Sequence, residues 1–322
     1  MPNGSGRAPP FAALALLSAG ALSYEVVLIR LLSIVQWHHF ASMIISLALL
    51  GYGAAGSFVT LRREILTERY EAVFVACAAA FGASVVACFQ IAQRIAFNPL
   101  ELLWEPSQAL RLAATYLVLA VPFFFAAIAI CLTFARFDAS THRIYAWDIT
   151  GAGAGSLAVV AALFARDAAG VLLLAGGAGL LSAALAAHRL HLAPAWTAAF
   201  GASAALLAFA LPPDWTALIP SEYKDLSQQR RVPGARVVAE ASSPLGAISV
   251  VDSPRVPLRI APGLSLSAAS EPPEQLGVFV DGNGPSALNR CDGALEPLAY
   301  LGALTSALPY HLLERPRVLV LG

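Results

Sequence analysis

Long apolar runs fill most of the chain up to about residue 211. The first run extends from Phe11 to about Val35, and it is too long for a signal-peptide core. Six more follow, at roughly 40–61, 71–93, 110–134, 145–165, 169–187 and 194–211. As helices, these runs are long enough, or nearly so, to cross about 30 Å of hydrocarbon. The pattern therefore predicts a membrane bundle of about seven helices, and it leaves open an eighth or re-entrant piece around Asn98–Pro106.

The pattern changes beyond Leu211, where prolines and polar residues interrupt the apolar runs. Turn signals such as Asp281-Gly282-Asn283-Gly284 separate short strand-like pieces, which is typical of a small antiparallel β domain. The predicted strands are Ala235–Glu240, Gly246–Asp252, Leu258–Ile260 and Leu276–Val280. The Asp281-Gly282 turn on its own indicates a hairpin. A helix over Glu296–Leu313 is predicted next, because it carries a stripe of leucines at helical spacing.

The last residues form a branched apolar strand, Val318–Leu321, that runs into Gly322. A short apolar strand followed by glycine is how a nucleotide-binding βα unit begins, so we predict that Gly322 binds a cofactor. The sequence thus predicts a polytopic transmembrane helical domain over 1–212 and a small β domain over 213–290. Residues 291–322 are predicted to form the helix and first strand of a Rossmann-like α/β domain, truncated at its first glycine.

The composition agrees with a membrane protein. Charged residues make up 12% of the chain and hydrophobic residues 58%, whereas soluble proteins average about 25% charged. The formal net charge is zero and no run of Lys or Arg occurs, so nothing indicates a nucleic-acid partner. The four cysteines have no CxxC spacing, so we predict no metal site and interpret them as small hydrophobic residues.

Three groups of glycines within the apolar runs predict close helix packing, because small residues let helix backbones approach in lipid. They are Gly51, Gly53 and Gly56; Gly151, Gly153 and Gly155; and Gly176, Gly177 and Gly179. The second group is not a dinucleotide fingerprint, because no strand precedes it. We interpret all three groups as packing features.

Three ionisable residues lie inside predicted spans: Glu25, Arg30 and Asp148. Burying a charge in lipid costs roughly 2.5–3.5 kcal/mol on insertion scales, so such residues usually face the bundle interior and pair. Glu25 and Arg30 are about 140° apart around a helix, which favours pairing Arg30 with Asp148 instead. One interpretation is an intramembrane site for a cation or small polar ligand. The other, which we favour from sequence alone, is an ion pair between helices. His38 and His39 are interpreted as interfacial anchors.

Several segments together resemble the spermidine synthase family, specifically its bacterial members with an N-terminal multi-span membrane domain. In the membrane part the resemblance lies in Tyr24–Arg30 and in Tyr145–Asp148 followed by Gly151 and Gly155. Later in the chain it lies in Ser242–Gly246, Val278–Gly282 and Arg315–Gly322. The later segments look like the family's small β domain and the first strand of its Rossmann-like domain.

This resemblance implies aminopropyl transfer from decarboxylated S-adenosylmethionine to a polyamine. The family's catalytic base and most of its cofactor site would lie beyond Gly322, so we predict no catalytic residue here and a chain incomplete for catalysis. The resemblance assigns Asp281, Gly282 and Tyr300 to substrate binding. Two departures make the amine substrate uncertain: Pro285 stands near the family's usual glutamine, and Tyr300-Leu301-Gly302 replaces its Tyr-His-Glu or Tyr-Gln-Glu triplet.

Two alternatives remain open. One is a transporter or membrane scaffold that binds a polar ligand at Glu25, Arg30 and Asp148. The other is a methyltransferase that uses S-adenosylmethionine, because a fold does not fix a reaction. The expected partners are the lipid bilayer, a polyamine and a second copy of the chain in a homodimer.

We expect a multi-pass protein of the bacterial cytoplasmic membrane. With seven spans, the arginine bias of the loops places the N-terminus in the cytoplasm and the C-terminal domain outside. A cytosolic adenosyl donor requires the reverse. Either the number of spans is even, or the arginine bias is misleading, or the domain does not use that donor. Among these we favour a cytoplasmic C-terminal domain.

Overall fold

The computed structural model describes residues 8–37, 40, 43–210, 216–314 and 317–319. The chain divides into two units, Met1–Ile219 with Ser242–Pro244, and Pro220–Ala241 with Leu245–Gly322. The first unit is helical and contains most of the buried apolar residues. The second unit holds a small sheet with its own apolar cluster.

The helical unit contains eight labelled α-helices among its described residues. They are α1 Phe11–Val35, α2 Ile44–Leu61, α3 Arg63–Glu68, α4 Tyr70–Ala92, α5 Pro106–Arg136, α6 Thr141–Ala165, α7 Ala168–Arg189 and α8 Pro194–Phe209. Within the described part of the chain, six are long and apolar enough to cross a membrane: α1, α2, α4, α5, α6 with the turn Asp138–Ser140 before it, and α7. The predicted helical bundle is therefore confirmed, with six helices that could span a membrane.

The seventh predicted span corresponds to α8, which has 16 residues. At 1.5 Å per residue it is about 24 Å long, less than the roughly 30 Å of a hydrocarbon core. Around Asn98–Pro106, where the sequence leaves an eighth piece open, the described chain forms only the short 3-10 helix Pro99–Glu101 before α5 begins.

Helix α1 lies at the centre of the helical unit. It packs against α6 and α7 along most of its length and crosses α5. Tyr24 is fully buried there, and its hydroxyl donates to the Leu119 carbonyl on α5 at 3.2 Å. Ser182 on α7 donates to the Ala13 carbonyl at 2.6 Å. Such bonds between helices satisfy polar groups that lipid cannot.

Six of the nine glycines predicted to pack closely contact another helix. A Cβ added at Gly151 or Gly155 would lie 2.2 or 2.3 Å from a carbonyl oxygen of α1, and Gly51, Gly176 and Gly179 are similarly crowded. Gly177 makes a looser contact, with an added Cβ 3.6 Å from the Ala204 carbonyl oxygen. In contrast, Gly53, Gly56 and Gly153 have nothing within 4 Å of an added Cβ. The prediction is wrong for these three glycines, because each lies on a helix side that faces away from its packing partner.

The second unit is built on a four-stranded antiparallel sheet. The strands are β1 Arg236–Ser242, β2 Ala247–Asp252, β3 Gln275–Val280 and β4 Asn283–Asn289, in the order β1-β2-β3-β4. Strands β2–β3 and β3–β4 are paired antiparallel. The short helix α9, Asp225–Arg230, contributes Leu226 to an apolar cluster with Val251 and Phe279. The predicted small antiparallel domain is thus confirmed.

Two strand predictions are wrong in detail. Leu258–Ile260 forms no strand, because the Gln275 side chain binds its backbone instead: Gln275 Oε1 accepts from Ile260 N at 2.6 Å and Nε2 donates to Ile260 O at 3.2 Å. The missed strand is β4, which contains Gly284 and Pro285 and has no β-branched residues. It lies at the edge of the sheet, where proline is tolerated.

The predicted helix over Glu296–Leu313 is broken into three short pieces. Two 3-10 helices, Glu296–Ala303 and Thr305–Ala307, precede α10, Leu308–Leu312. The break lies at Leu304, whose backbone is extended (φ −78°, ψ 145°). Of the predicted terminal strand, Val318 and Leu319 have no regular structure, and its other two residues lie outside the described part of the chain. The structure therefore describes no Rossmann-like element.

Candidate functional site

Two polar residues of α1, Ser18 and Glu25, lie on the same face of the helix. Ser18 and Glu25 are seven residues apart, which is nearly two turns, so their side chains are aligned and about 10 Å apart along the axis. Ser18 is buried, whereas Glu25 is half-buried. The Ser18 hydroxyl donates to the Asp148 carboxylate of α6 in a short hydrogen bond. Asp148 is therefore held against α1, on the face that also carries Glu25.

A third helix contributes Tyr52. This half-buried residue of α2 lies within electrostatic range of both Asp148 and Glu25. We call Ser18, Glu25, Tyr52 and Asp148 the carboxylate cluster. Glu25 and Asp148 thus lie on the same side of α1, about 10 Å apart along its axis, with Tyr52 within electrostatic range of both. Carboxylates at membrane depth carry a large desolvation cost, which a bound cation or a proton offsets.

Two glycines of α6 allow Asp148 to lie close to α1. Gly151 and Gly155 lie one and two turns after it, on the side of α6 that contacts the Ala15 and Ala19 carbonyls of α1. The two helices run in the same direction, since the later glycine meets the later alanine. Because no Cβ intervenes, the backbones approach closely enough for Asp148 to reach Ser18.

The predicted Arg30–Asp148 pair is wrong. Asp148 contacts Ser18, which precedes Arg30 by 12 residues on the same helix. That spacing separates the two levels by about 18 Å, more than an arginine side chain can reach. Arg30 is half-buried nearer the C-terminal end of α1 and is not part of the carboxylate cluster. The ion-pair interpretation of Asp148 therefore fails, and its partner is a serine hydroxyl.

Asp281 and Gly282 form a tight hairpin turn between β3 and β4. Both have positive φ, 50° and 76°, which with two turn residues is the type I′ geometry. The Asp281 carboxylate accepts from Ala247 N at 2.9 Å. The ammonium of Lys224 donates to the Asp281 carbonyl, and Lys224 is fully buried. The hairpin prediction is confirmed, and the Asp281 side chain ties β2 to this turn.

Tyr300 belongs to a buried polar network. Its hydroxyl donates to Asn289 Oδ1 at 2.8 Å and accepts from Gln275 Nε2 at 3.2 Å. Gln275 also donates to Asn289 at 2.9 Å, and it holds Ile260 as described above. Tyr300 is 2% exposed, so it joins the end of the chain to β3 and β4 from the inside. Asp281 in the β3–β4 turn and Tyr300 in the 3-10 helix Glu296–Ala303 both contact the sheet, and each is engaged in structural hydrogen bonds.

Gly322, the predicted cofactor-binding residue, lies outside the described residues, as do His38 and His39. Among the described residues, no group of three or more His, Cys, Asp or Glu could hold a metal ion. Sequence reasoning missed Ser18 and Tyr52, because uncharged polar residues are common in membrane helices. It also missed the role of Lys224, although its being the chain's only lysine could have drawn attention to it.

Comparisons with known proteins add no relative, since no family model, curated protein or solved structure matches the chain. Function must therefore be argued from the geometry and from the residues themselves.

Proposed function

We propose that the chain belongs to a membrane-anchored protein of the spermidine synthase type, which transfers an aminopropyl group from decarboxylated S-adenosylmethionine to a polyamine. One observation supports this most. Two segments that carry the resemblance, Ser242–Gly246 and Val278–Gly282, flank β2 in the same antiparallel sheet, and the first includes the β1–β2 connection. The sheet is the kind of small β domain that the resemblance implies ahead of a Rossmann-like domain.

In this proposal Asp281 and Tyr300 position the substrate side of the site and do not touch the amine. The Asp281 carboxylate fixes the β3–β4 turn against β2, and Tyr300 fixes the end of β4 through Asn289. The transferred aminopropyl group needs an amine nucleophile freed of its proton by a positioned base.

The test assays the protein in membranes with putrescine as the amine acceptor. Decarboxylated S-adenosylmethionine should give an aminopropylated product. A methylated product from S-adenosylmethionine would favour the methyltransferase alternative and overturn aminopropyl transfer. No product with either donor overturns both. Asp281→Ala should reduce the activity, whereas Asp292→Ala, in an exposed loop near the end of β4, should leave it unchanged.

A second function is favoured by the carboxylate cluster: binding of an organic amine within the helical unit. Glu25 lies about 10 Å along α1 from Ser18, which holds Asp148 of α6, and Tyr52 of α2 is within electrostatic range of both carboxylates. Two anionic groups at that separation suit a linear molecule with an ammonium group at each end, such as a polyamine. The cation would offset the cost of holding two carboxylates at membrane depth.

This function is tested by titrating the purified full chain in lipid nanodiscs with putrescine and measuring the heat of binding. Saturable binding is expected. Glu25→Gln and Asp148→Asn should each abolish it, because either change removes one of the two charges. Asp138→Asn is the control, since Asp138 is exposed in the turn before α6. Binding that survives both cluster substitutions would remove this proposal.

A further inference from the structure

Two helices of the helical unit bury the same pattern of residues. In α2 the buried stripe includes Gly51, Ala55 and Val59, and in α6 it includes Gly151, Gly155 and Val159. The two stripes have identical spacing and are 100 residues apart in the chain. In both helices the residues between these positions are mostly exposed, so each helix packs through one narrow stripe.

The partners of the two stripes are also equivalent. Helix α6 packs on α1, and α2 packs on α5. An added Cβ at Gly151 would meet the Ala15 carbonyl, and one at Gly51 would meet the Ala120 carbonyl. The shift from Gly51 to Gly151 is 100 residues and the shift from Ala15 to Ala120 is 105.

A second pair of contacts is related by the same two shifts in residue number. The Arg143 guanidinium lies 4.9 Å from the centre of the Phe11 ring, and the Tyr116 hydroxyl contacts Met43 Sδ at 3.0 Å. Arg143 follows Met43 by 100 residues, and Tyr116 follows Phe11 by 105. Two contacts at different levels of the α1–α6 pair thus have equivalents in the α2–α5 pair, and both are related by the same two sequence shifts. A chance similarity of glycine spacing would not produce this agreement.

The remaining helix pairs complete the correspondence. Helix α7 packs antiparallel on α1, with Ser182 against Ala13, and α4 packs antiparallel on α5, with Tyr70 against Thr133. Helices α4 and α7 cross each other at Gly82 and Gly179. The first repeat is therefore α1, α2 and α4, and the second is α5, α6 and α7. Each has three long helices, so if each helix crosses the membrane, the second repeat has the opposite orientation, with a pseudo-twofold axis in the membrane plane.

The carboxylate cluster lies at the interface of the repeats. Glu25 and Tyr52 belong to the first repeat and Asp148 to the second. The two equivalent helix contacts differ at one position: Gly155 of α6 in the α1–α6 contact corresponds to Ala55 of α2 in the α2–α5 contact. Inverted repeats of this kind can rock against each other around a fixed site, which gives a second arrangement open to the other membrane face.

We propose that the two repeats rock in this way, so that the carboxylate cluster opens alternately to the two membrane faces and the helical unit carries a small organic cation across the bilayer. The identity of the cation rests on the second function proposed above. The rocking itself rests on the repeats alone.

The test measures from which membrane face the cluster can be reached. Ala152 lies one turn after Asp148 on the same side of α6, at the position that Tyr52 occupies in α2. Full-length Ala152→Cys, with the four native cysteines replaced by alanine, is placed in sealed vesicles of both orientations. A membrane-impermeant maleimide should label it from either face, and putrescine should slow the labelling.

Gly153→Cys is the matched control. It is at the same depth, but it lies on the side of α6 that faces away from α1 and has no other residue within 4 Å of an added Cβ. It should be labelled from neither face. Labelling of Ala152→Cys from one face only, or from neither, overturns the rocking, and so does equal labelling of Gly153→Cys. If Ala152→Cys is labelled from both faces while putrescine neither binds nor slows the reaction, the rocking stands and the amine proposal falls.

Discussion

Gly151 decides how closely α6 approaches α1, because an added Cβ there would lie 2.2 Å from the Ala15 carbonyl. Gly151→Leu should therefore separate the two helices and break the Ser18–Asp148 hydrogen bond. Forcing side-chain atoms into packed space costs typically 1–3 kcal/mol, occasionally more. The thermal unfolding midpoint in detergent should fall clearly. Gly153→Leu, two residues along and with nothing within 4 Å, should change it little, and equal effects of the two substitutions would refute this account.

Tyr300 has a comparable role in the second unit. Tyr300→Phe removes the hydroxyl shared by Gln275 and Asn289 without changing the ring. Leaving buried partners unsatisfied costs about 1–3 kcal/mol, which corresponds to roughly fivefold to 150-fold faster exchange of amides that open locally. Hydrogen–deuterium exchange of the β3–β4 segment should show this acceleration. Tyr310→Phe, at an exposed position of α10, is the control, and unchanged exchange in Tyr300→Phe would contradict the network's structural role.

At the scale of elements, the β3–β4 hairpin depends on its turn. Gly282 has a φ of 76°, and an added Cβ would also lie 3.2 Å from the Lys224 side chain. Gly282→Ala should destabilise the hairpin by roughly 1–2 kcal/mol, the usual cost of the left-handed conformation for a residue with a Cβ. Exchange in β3 and β4 measures it. Gly302→Ala should have no such effect, since its added Cβ meets nothing closer than 3.9 Å. Asp281→Asn should keep the hairpin, because Asn-Gly also favours type I′ turns.

Elements with a strong periodic pattern were predictable, and those held by side chains were not. The six long apolar helices and strands β1 to β3 follow from runs of apolar or branched residues. Strand β4 has no such pattern, and Leu258–Ile260 has one but is bound by the Gln275 side chain instead. Glu25 and Asp148 stood out as charges in apolar runs. Their neighbours did not, because the pairing of Asp148 with Ser18 depends on which helices meet.

Part of the repeat is visible in the sequence, where small and apolar residues have the same spacing in Gly51–Val59 and in Gly151–Val159. The sequence did not show that this spacing marks a structural repeat, because glycine stripes alone are equally consistent with any close packing of helices. Only the partners of each stripe reveal that the two contacts are equivalent. The same information explains why Arg30, predicted to pair with Asp148, is too far along α1 to do so.

At the scale of the whole molecule, the course of α8 decides on which membrane face the chain leaves the helical unit. Although short, α8 ends with the Ala208 carbonyl accepting from Arg166 at 3.2 Å, and Arg166 follows the C-terminal end of α6. Beyond it, Ile219 N donates to Gln93 at the C-terminal end of α4. Both contacts lie at the end of the bundle opposite to the turn around α3. Reporter fusions in the α3 turn and after Ile219 should therefore be active on opposite faces; activity on the same face would leave α8 outside the set of crossings.

The same fusions separate the two proposed functions. Aminopropyl transfer needs the segment after Ile219 in the cytoplasm, where the adenosyl donor is, and so places the arginines of the α3 turn outside. The positive-inside rule favours the reverse, with Arg62, Arg63 and Arg69 in the cytoplasm. Alkaline phosphatase activity from a fusion after Ile219 would thus rule out the adenosyl-dependent function and leave amine binding by the helical unit. A cytoplasmic reporter active there, with phosphatase active in the α3 turn, would mean that the donor's location outweighs the arginine bias in this protein.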